Sequence, residues 1–489
     1  MFDIAIVGLG ANGVSLLMSI RNQVLAAGLE TPRIVVFSPA GTLGRGEAFG
    51  AAHRHHLVNT SPPMMPLSEA APNAFARWLA SVGRGAETYP PRQAFADYLE
   101  SEFQTLLKGG IVQIVPIEAA VEAIAKVSGG VELHTATHKF AAKRAVLCLG
   151  APRGSSFPEF SADPAFSLAY AATADDRDSA RHLPGDEEPI LVAGTGLTAV
   201  DVFRSLNIGQ SREIHLFSRH GLPPTCLTSQ SNHVPRHFSF DALAHRPTGR
   251  LALHDFLSAL KEDCRELPDG GEHVAGARLL REEGLSAFFR FLLSRADAGD
   301  LPYQDLLVST RPYMHDLWRM LSIEDRLAFL LNHGAHWAAW RHPVPRQVVK
   351  EMQTAAAEGR LHIHRAATRP TRSGRHFEIT TSAGLTVRSG TLIDATGGSI
   401  RLGAMDSPLL AQMQAAGLVQ PHPCGGIDVH PLTFECRVNG SQDSRLSCLG
   451  PLTKGTFFST NAFGFNARCA AQWARLWAIA QTRPMSALV

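Results

Sequence analysis

The stretch Ile4-Ala5-Ile6-Val7-Gly8-Leu9-Gly10-Ala11-Asn12-Gly13 reads as a short buried strand running into a glycine-rich turn. The helical pattern Val14 to Ala27 follows, and a second strand, Arg33 to Phe37, closes a βαβ unit. The same arrangement recurs as Ile190-Leu191-Val192-Ala193-Gly194-Thr195-Gly196-Leu197-Thr198-Ala199, with a helix through Leu206 and the strand Glu213 to Phe217. Each glycine has a physical role in such a turn. The first (Gly8, Gly194) makes the tight bend, and the second (Gly10, Gly196) lets backbone approach a pyrophosphate. The third position (Gly13, and Ala199 in the second copy) must be small for helix–strand packing, and the phosphate lies on the helix N-terminus, which Thr198 also faces. One such motif is weak; two in strand–turn–helix context point to two dinucleotide-binding domains.

Each copy is followed, after an interval, by strand-rich sequence ending in a buried strand and small residues. The first covers Ile111 to Gly150 and the second Leu361 to Gly397, and both read as a three-stranded meander with a return strand. Gly150 and Gly397 therefore belong to the predicted nucleotide sites. Between about 225 and 345 helical periodicity dominates, with helices expected over Leu251–Leu267, Gly284–Ala298 and Met314–Leu331. This is read as a helical insert over the cofactor cleft, opening in the polar loop Thr228-Ser229-Gln230-Ser231-Asn232-His233. The predicted class is α/β, with two Rossmann-like domains of three-layer ββα type and a helical insert. The first domain spans 1–155 and 400–489, the second 156–225 and 346–399, and the insert 226–345.

Composition narrows the function classes. The 489 residues suggest about three domains. With 45% hydrophobic and 18% charged residues the chain is not disordered, and 46 basic against 44 acidic residues leave no footprint for nucleic acid. Apolar runs fall short of the about 20 residues a bilayer span needs. Met1 to Val7 has no basic n-region and reads as a first strand rather than a signal peptide. The seven cysteines form no CxxC pair, so a disulfide framework, a zinc site and a dithiol centre are unsupported, and a reducing cytoplasm is the expected compartment. His53, His55 and His56 match no zinc spacing, so no metal is expected; Asn59 and its backbone are read instead as packing along a cofactor. The second unit ends Phe217-Ser218-Arg219, where an acid would repel a 2′-phosphate and Arg219 would clamp it; the alternative is a solvent-exposed arginine after a strand.

These motifs and four further stretches resemble the flavin-dependent N-hydroxylating monooxygenases and a related bacterial family of FAD/NAD(P)-binding proteins. The stretches are Gly44-Arg45-Gly46-Glu47-Ala48-Phe49-Gly50 with His56-Leu57-Val58-Asn59, then Phe75-Ala76-Arg77-Trp78-Leu79, then Tyr89-Pro90-Pro91-Arg92 with Asp97-Tyr98-Leu99, and Gly450-Pro451-Leu452-Thr453-Lys454-Gly455-Thr456. The resemblance implies FAD on the first motif, with Gly46, Asn59 and Gly450 beside it, and NADPH on the second. It implies hydroxylation of a nitrogen on a small amine or amino acid, with molecular oxygen, through a C4a-hydroperoxyflavin; a homo-oligomer is compatible with it. An acidic amino acid such as aspartate is one substrate, its carboxylate held by Arg92, Asn232, Arg236 or Arg311. Catalysis is flavin-centred, with Lys454 and Asn59 as candidates, although Lys454 also reads as an exposed loop lysine.

Two departures stand out. The strand that would meet the FAD ribose ends in Phe37-Ser38-Pro39, so Ser38 replaces the expected acid. Phe160 to Tyr170 keeps the spacing of the monooxygenase linker FxGxxxHxxxY/W, with Ala162 for the Gly and Phe166 for the His. A flavin oxidoreductase with a non-oxygen acceptor, and a non-catalytic nucleotide-binding redox sensor, are the competing readings.

Overall fold

The computed structural model describes residues 1–151, 154–169, 188–207, 212–228, 234–244, 250–267, 272–397 and 400–482. Asn232 and Tyr170, named above, lie outside them. The chain divides into two units. Unit 1 comprises Met1–Ala52, Thr60–Gly154 and Ser399–Val489; unit 2 comprises His53–Asn59 and Ser155–Gly398.

Unit 1 begins with β1 (Phe2–Val7), β2 (Arg33–Ser38), β3 (Gln113–Glu118), β4 (Ala123–Val127), β5 (Gly130–His134) and β6 (Lys139–Leu147). β1 is flanked by parallel strands on both sides, β2 and β6, and helices cover such strands on both faces. That is why Ile4, Ala5 and Ile6 form an unbroken apolar run and are wholly buried. The helix Ala11–Ala27 leaves β1 directly and ends at Gly28, whose φ of 58° and N–H donation to the Val24 carbonyl stop it. The stretch 111–150 is not a free-standing meander. β3 joins the parallel sheet beside β2, and β4–β5 is a hairpin whose β5 pairs with the first half of β6.

Unit 2 contains β7 (Phe166–Leu168), β8 (Ile190–Ala193), β9 (Ile214–Ser218), β10 (Leu361–Arg365), β11 (Thr371–Ser373), β12 (His376–Thr380), β13 (Thr386–Ser389) and β14 (Thr391–Asp394). Its parallel sheet has the order β10-β9-β8-β14-β7, and β11, β12 and β13 form a separate antiparallel sheet. Here the predicted meander and return strand are both present. The linker Phe160–Tyr170 supplies β7, and Phe160 packs edge-on against Phe377 with ring centroids 5.2 Å apart. Those aromatic positions serve the core of unit 2.

The insert is more finely divided than its periodicity implies. Met314–Met320 and Ile323–Asn332 are two helices, because Ser322 caps the second by accepting from the Asp325 N–H at 3.1 Å. Leu253–Arg265 and Leu285–Asp297 are helices as expected, and Glu272–Glu282, Pro302–Ser309 and Gly334–Arg341 are added to them. Phe256, Phe329 and Trp337 form its aromatic centre, with centroids 5.4 and 5.6 Å apart and edge-on rings.

The chain then returns to unit 1 with β15 (Glu435–Val438) and β16 (Ser441–Cys448). β16 lies parallel to β6, and the closing helix Phe463–Thr482 packs on Ala11–Ala27. Among the described residues no helix is long and apolar enough to cross a membrane.

Candidate functional site

In unit 1 the glycine turn is pinned by backbone. The Gly8 N–H donates to the Phe37 carbonyl at 2.8 Å, and the Cys148 N–H donates to the Val7 carbonyl at 2.7 Å. Gly8 has φ +99°, and a Cβ there would lie 2.4 Å from the Cys148 carbonyl oxygen. At Gly13 it would lie 2.3 Å from the Gly8 carbonyl oxygen, the helix–strand approach expected of the third glycine. Gly10 is the N-cap of the helix and has no side chain to satisfy the N–H groups behind it. Gly46 faces it, with φ +65° and an imaginary Cβ 2.7 Å from the Gly10 Cα. The helix N-terminus thus keeps its free donors and partial positive charge beneath a rim of bare backbone, as an anion site requires.

Ser38 is buried at the end of β2, with its Oγ 2.8 Å from Thr42 Oγ1. Thr42 donates to the Pro39 carbonyl, so Ser38 is the donor in its pair and keeps its lone pairs. It can accept from a sugar hydroxyl as a neutral stand-in for the expected acid. Gly450 has φ +87°, and a Cβ there would lie 1.9 Å from the Asn12 Nδ2. Lys454, half-buried at the start of the helix Lys454–Phe457, has its ammonium pushed below the usual lysine range by burial. Gly150 has φ +73° with open space around it. Arg92 opens the helix Arg92–Lys108, also in unit 1.

Two parts of this unit are not legible in the sequence. Asn12 meets Gly450, and the loop His422–Gly426 packs on 452–455. Cβ atoms at Gly426 and Gly455 would lie 2.0 Å from the Leu452 carbonyl oxygen and 2.2 Å from His422 Nδ1. The pair Gly425-Gly426 was the available signal.

Unit 2 repeats the turn with a difference. Gly194 has φ +120°, and a Cβ there would lie 2.5 Å from the Ala395 carbonyl oxygen, whereas Gly196 has open space within 4 Å. Among the described residues no atom requires Gly196 to be glycine, which leaves space for a ligand at the helix Leu197–Asn207, where Thr198 stands in the first turn. Ser218 Oγ accepts from the Gly221 N–H at 2.9 Å and lies 3.1 Å from Thr195 Oγ1, tying the two turns together. Arg219 is exposed beside them, with no carboxylate partner among the described residues. Gly397 has φ +83° and open space.

Asn59 lies in unit 2, not in the unit expected to hold FAD. Its segment is fastened to the helix Leu197–Asn207. The buried His56 places Nε2 2.9 Å from Ser205 Oγ, and Arg204 bonds the His55 carbonyl while pairing with Glu351 at 2.7 Å. Leu57 packs against the core of that unit.

The insert holds the other candidates. Arg236 is exposed and 3.4 Å from Glu266. Thr228 donates to Asp305 at 2.6 Å, and burial pushes that carboxyl up to about 6. His336 Nε2 is 2.8 Å from Tyr303 Oη on the wall of a cavity of about 480 Å³, which Cys264, Phe329 and Trp337 also line. Arg311 is half-buried, and burial lowers its guanidinium from the ordinary range. Next to its charge lies Arg341, only 2% exposed, with Nε and one terminal nitrogen lacking a hydrogen-bond partner among the described residues. Burial first, and then the charge of Arg311, push the Arg341 guanidinium down to about 9. A buried cation with unmatched N–H groups, Arg341, beside the half-buried charge of Arg311 would attract an anion. The sequence places Arg341 beside Trp337, Trp340 and His342 but does not show its burial or its nearness to Arg311, because a buried and an exposed arginine look alike in sequence.

A family model described as FAD-NAD(P)-binding matches residues 5–152. The ornithine hydroxylase of Pseudomonas aeruginosa superposes with a TM-score of 0.60 over 99% of this chain and 100% of its own, at 13% identity. The L-lysine 6-monooxygenase of Pseudomonas syringae gives 0.59 over 99% and 100%, at 14% identity. The FAD-bound cadaverine monooxygenase of Erwinia amylovora gives 0.58 over 97% and 94%, at 12% identity. No curated protein matches. The chain has the fold of these flavin monooxygenases along nearly its whole length.

Proposed function

We propose that this protein is a cytoplasmic FAD- and NADPH-dependent monooxygenase that hydroxylates the nitrogen of a small amino acid carrying an extra carboxylate, such as aspartate. The observation that carries the reading is the pair of glycine-lined helix N-termini, one per unit, in a fold shared end to end with amine and amino-acid N-hydroxylating enzymes. In this reading unit 1 holds FAD and unit 2 holds NADPH.

The residues fit both groups. Gly10 and Gly46 leave bare backbone above the unit 1 helix, so the pyrophosphate meets N–H groups rather than side chains. Ser38 accepts a ribose hydroxyl, and Lys454 sets a cation against the negative charge of the reduced ring. Arg219 clamps the 2′-phosphate of NADPH, and Gly196 gives its backbone room. When bound, the flavin supplies hydride acceptance and oxygen activation. The chain must bind, orient and keep water out.

The acidic substrate rests on Arg341 and Arg311. Ornithine, lysine and cadaverine carry a terminal ammonium, which the buried Arg341 and half-buried Arg311 would repel; a second carboxylate would be clamped by them. The test is to purify the yellow protein and screen amino acids for stimulated NADPH oxidation with oxygen, with mass spectrometry of the product. Aspartate or a close acidic homologue should give a product heavier by one oxygen. NADPH oxidation that needs an added electron acceptor would replace this reading with electron transfer, and no turnover at all would replace it with a sensor.

A further inference from the structure

The strands β9 and β10 are parallel, with His215 opposite His362. Side chains two residues apart on a strand share a face, so Glu213, His215, His362 and His364 all lie on one face of this pair. The neighbouring Ile214 and Leu216 go the other way, into the helix-covered core. The three imidazoles stack, with centroids of His215 and His362 4.5 Å apart at 16° and those of His215 and His364 5.3 Å apart at 9°. His215 Nε2 is 3.1 Å from Glu213 Oε2, which is 3.7 Å from His362 Nε2. His215 Nδ1 is 3.0 Å from His364 Nε2.

We propose that Glu213 Oε2, His215 Nε2 and His362 Nε2 form a binding site for a divalent transition-metal ion of the zinc class, with His364 as a positioning residue. The three donor atoms lie within 4.8 Å of one another. Bonds of about 2.0–2.2 Å in a tetrahedron place ligand atoms about 3.3 Å apart, near the 3.1 and 3.7 Å found here, and the stacked rings of His215 and His362 must turn so that both in-plane lone pairs meet at one point. One imidazole–carboxylate–imidazole set leaves a fourth position for water. With no ion, His215 donates from Nε2 to Glu213 and accepts at Nδ1 from His364. An ion takes the Nε2 lone pair, so the His215 proton moves to Nδ1 and donates to His364 Nε2, whose own proton moves to its Nδ1. His362 Nε2, which donates to the Gly359 carbonyl at 2.8 Å without an ion, gives up that bond as its proton moves to Nδ1, so three tautomers change and no proton is lost. His364 thereby fixes the ring that binds the metal, as outer partners of metal ligands do.

Among the described residues the other cluster of this kind, His237, Asp263 and Glu266, is spent on its own loop. Asp263 accepts backbone N–H groups of Arg236, His237 and Phe238 at 2.8, 3.1 and 2.7 Å, so its lone pairs are occupied. The β9–β10 site has a position to match, because the whole helical insert runs between those two strands. An ion there would fasten the insert at its root.

The experiment uses full-length, untagged, chelator-treated protein. Equilibrium dialysis against ZnCl2 with elemental analysis should give one equivalent bound, with a raised Tm; CoCl2 should give the intense visible absorption of a tetrahedral site. Glu213→Gln and His362→Gln should each abolish stoichiometric binding, and His364→Ala should weaken it about 10–100-fold. Glu266→Gln, in the other cluster, should leave it unchanged. Far-ultraviolet circular dichroism establishes that each variant is folded, and Glu213, exposed in β9's approach, is the mildest change. Failure of the parent protein to bind one zinc, or binding that survives Glu213→Gln and His362→Gln, overturns the proposal. Loss of binding in Glu266→Gln would overturn it equally, by moving the site.

Discussion

Gly46 stands so close to Gly10 that a methyl group on either would press on the other's backbone: 2.7 Å from Gly46 to the Gly10 Cα, and 3.1 Å in the reverse direction. Two segments 36 positions apart in sequence meet here only because both lack side chains. Gly46→Ala adds a left-handed φ to the clash, a strain of about 1–3 kcal/mol. The expected outcome is a folded, less stable protein that purifies largely colourless, and Gly10→Val should do the same. Absorbance near the flavin band, set against circular dichroism, checks it; a fully yellow variant would place the phosphates elsewhere.

Gly196 makes the opposite case. Its Cβ position is open, so Gly196→Val should leave the Tm unchanged while raising the KM for NADPH. Arg219→Ala should raise that KM at least tenfold, the effect of losing a charged hydrogen bond of about 1.5–3 kcal/mol, and leave the KM for NADH in place. Steady-state kinetics with both cofactors separates the two roles. Equal effects of Arg219→Ala on NADPH and NADH would mean that Arg219 does not hold the 2′-phosphate.

Replacing Arg341 by Met removes a buried charge that the surrounding protein leaves partly unmatched. Such replacements are often neutral or stabilising by about 1–4 kcal/mol. The Tm should therefore stay or rise, while the KM for an acidic amino acid rises tenfold or more. A marked fall in Tm would mean that the guanidinium serves the fold, and the carboxylate clamp would have to be sought elsewhere.

The stacked histidines predict acid sensitivity. His364 titrates at about 4 in the folded protein against 6.5 ordinarily, so between those values the unfolded chain binds more protons. Stability from this ring is complete above pH 6.5 and is lost as the pH falls towards 4. Allowing for its partial exposure, the loss is about 1–2 kcal/mol. Melting temperatures across that window should fall with acid, and His364→Gln should flatten the slope.

Much of the fold was legible because the deciding contacts are local. Gly8, Gly10 and Gly13 sit within six positions, and their spacing alone encodes a strand, a turn and a helix. The second turn at Gly194 and the return strand before Gly397 were legible for the same reason. What escaped depends on residues remote in sequence. Asn12 against Gly450, and Arg311 beside Arg341, become neighbours only after folding. The segment His53–Asn59 was read with unit 1 because its flanking residues belong there; the ties from Arg204 and Ser205 that place it in unit 2 lie about 150 positions away. Met314–Leu331 looked like one helix since hydrophobic period outweighs a single capping serine, yet Ser322 ends one helix and starts another.

The pairing of β6 with β16 has a consequence for how the protein is made. Leu147 and Cys448 are partners, yet about 300 residues separate them. At roughly 5–20 residues per second a ribosome needs about 15–60 s to synthesise that interval. Throughout it β6 presents one row of unsatisfied N–H and C=O groups, while all of unit 2 is completed ahead of it. The first domain to begin is thus the last to close, and the nascent chain must shield an open sheet edge until its final strands emerge. Slowing translation late in the message should cost more folded protein than slowing it early.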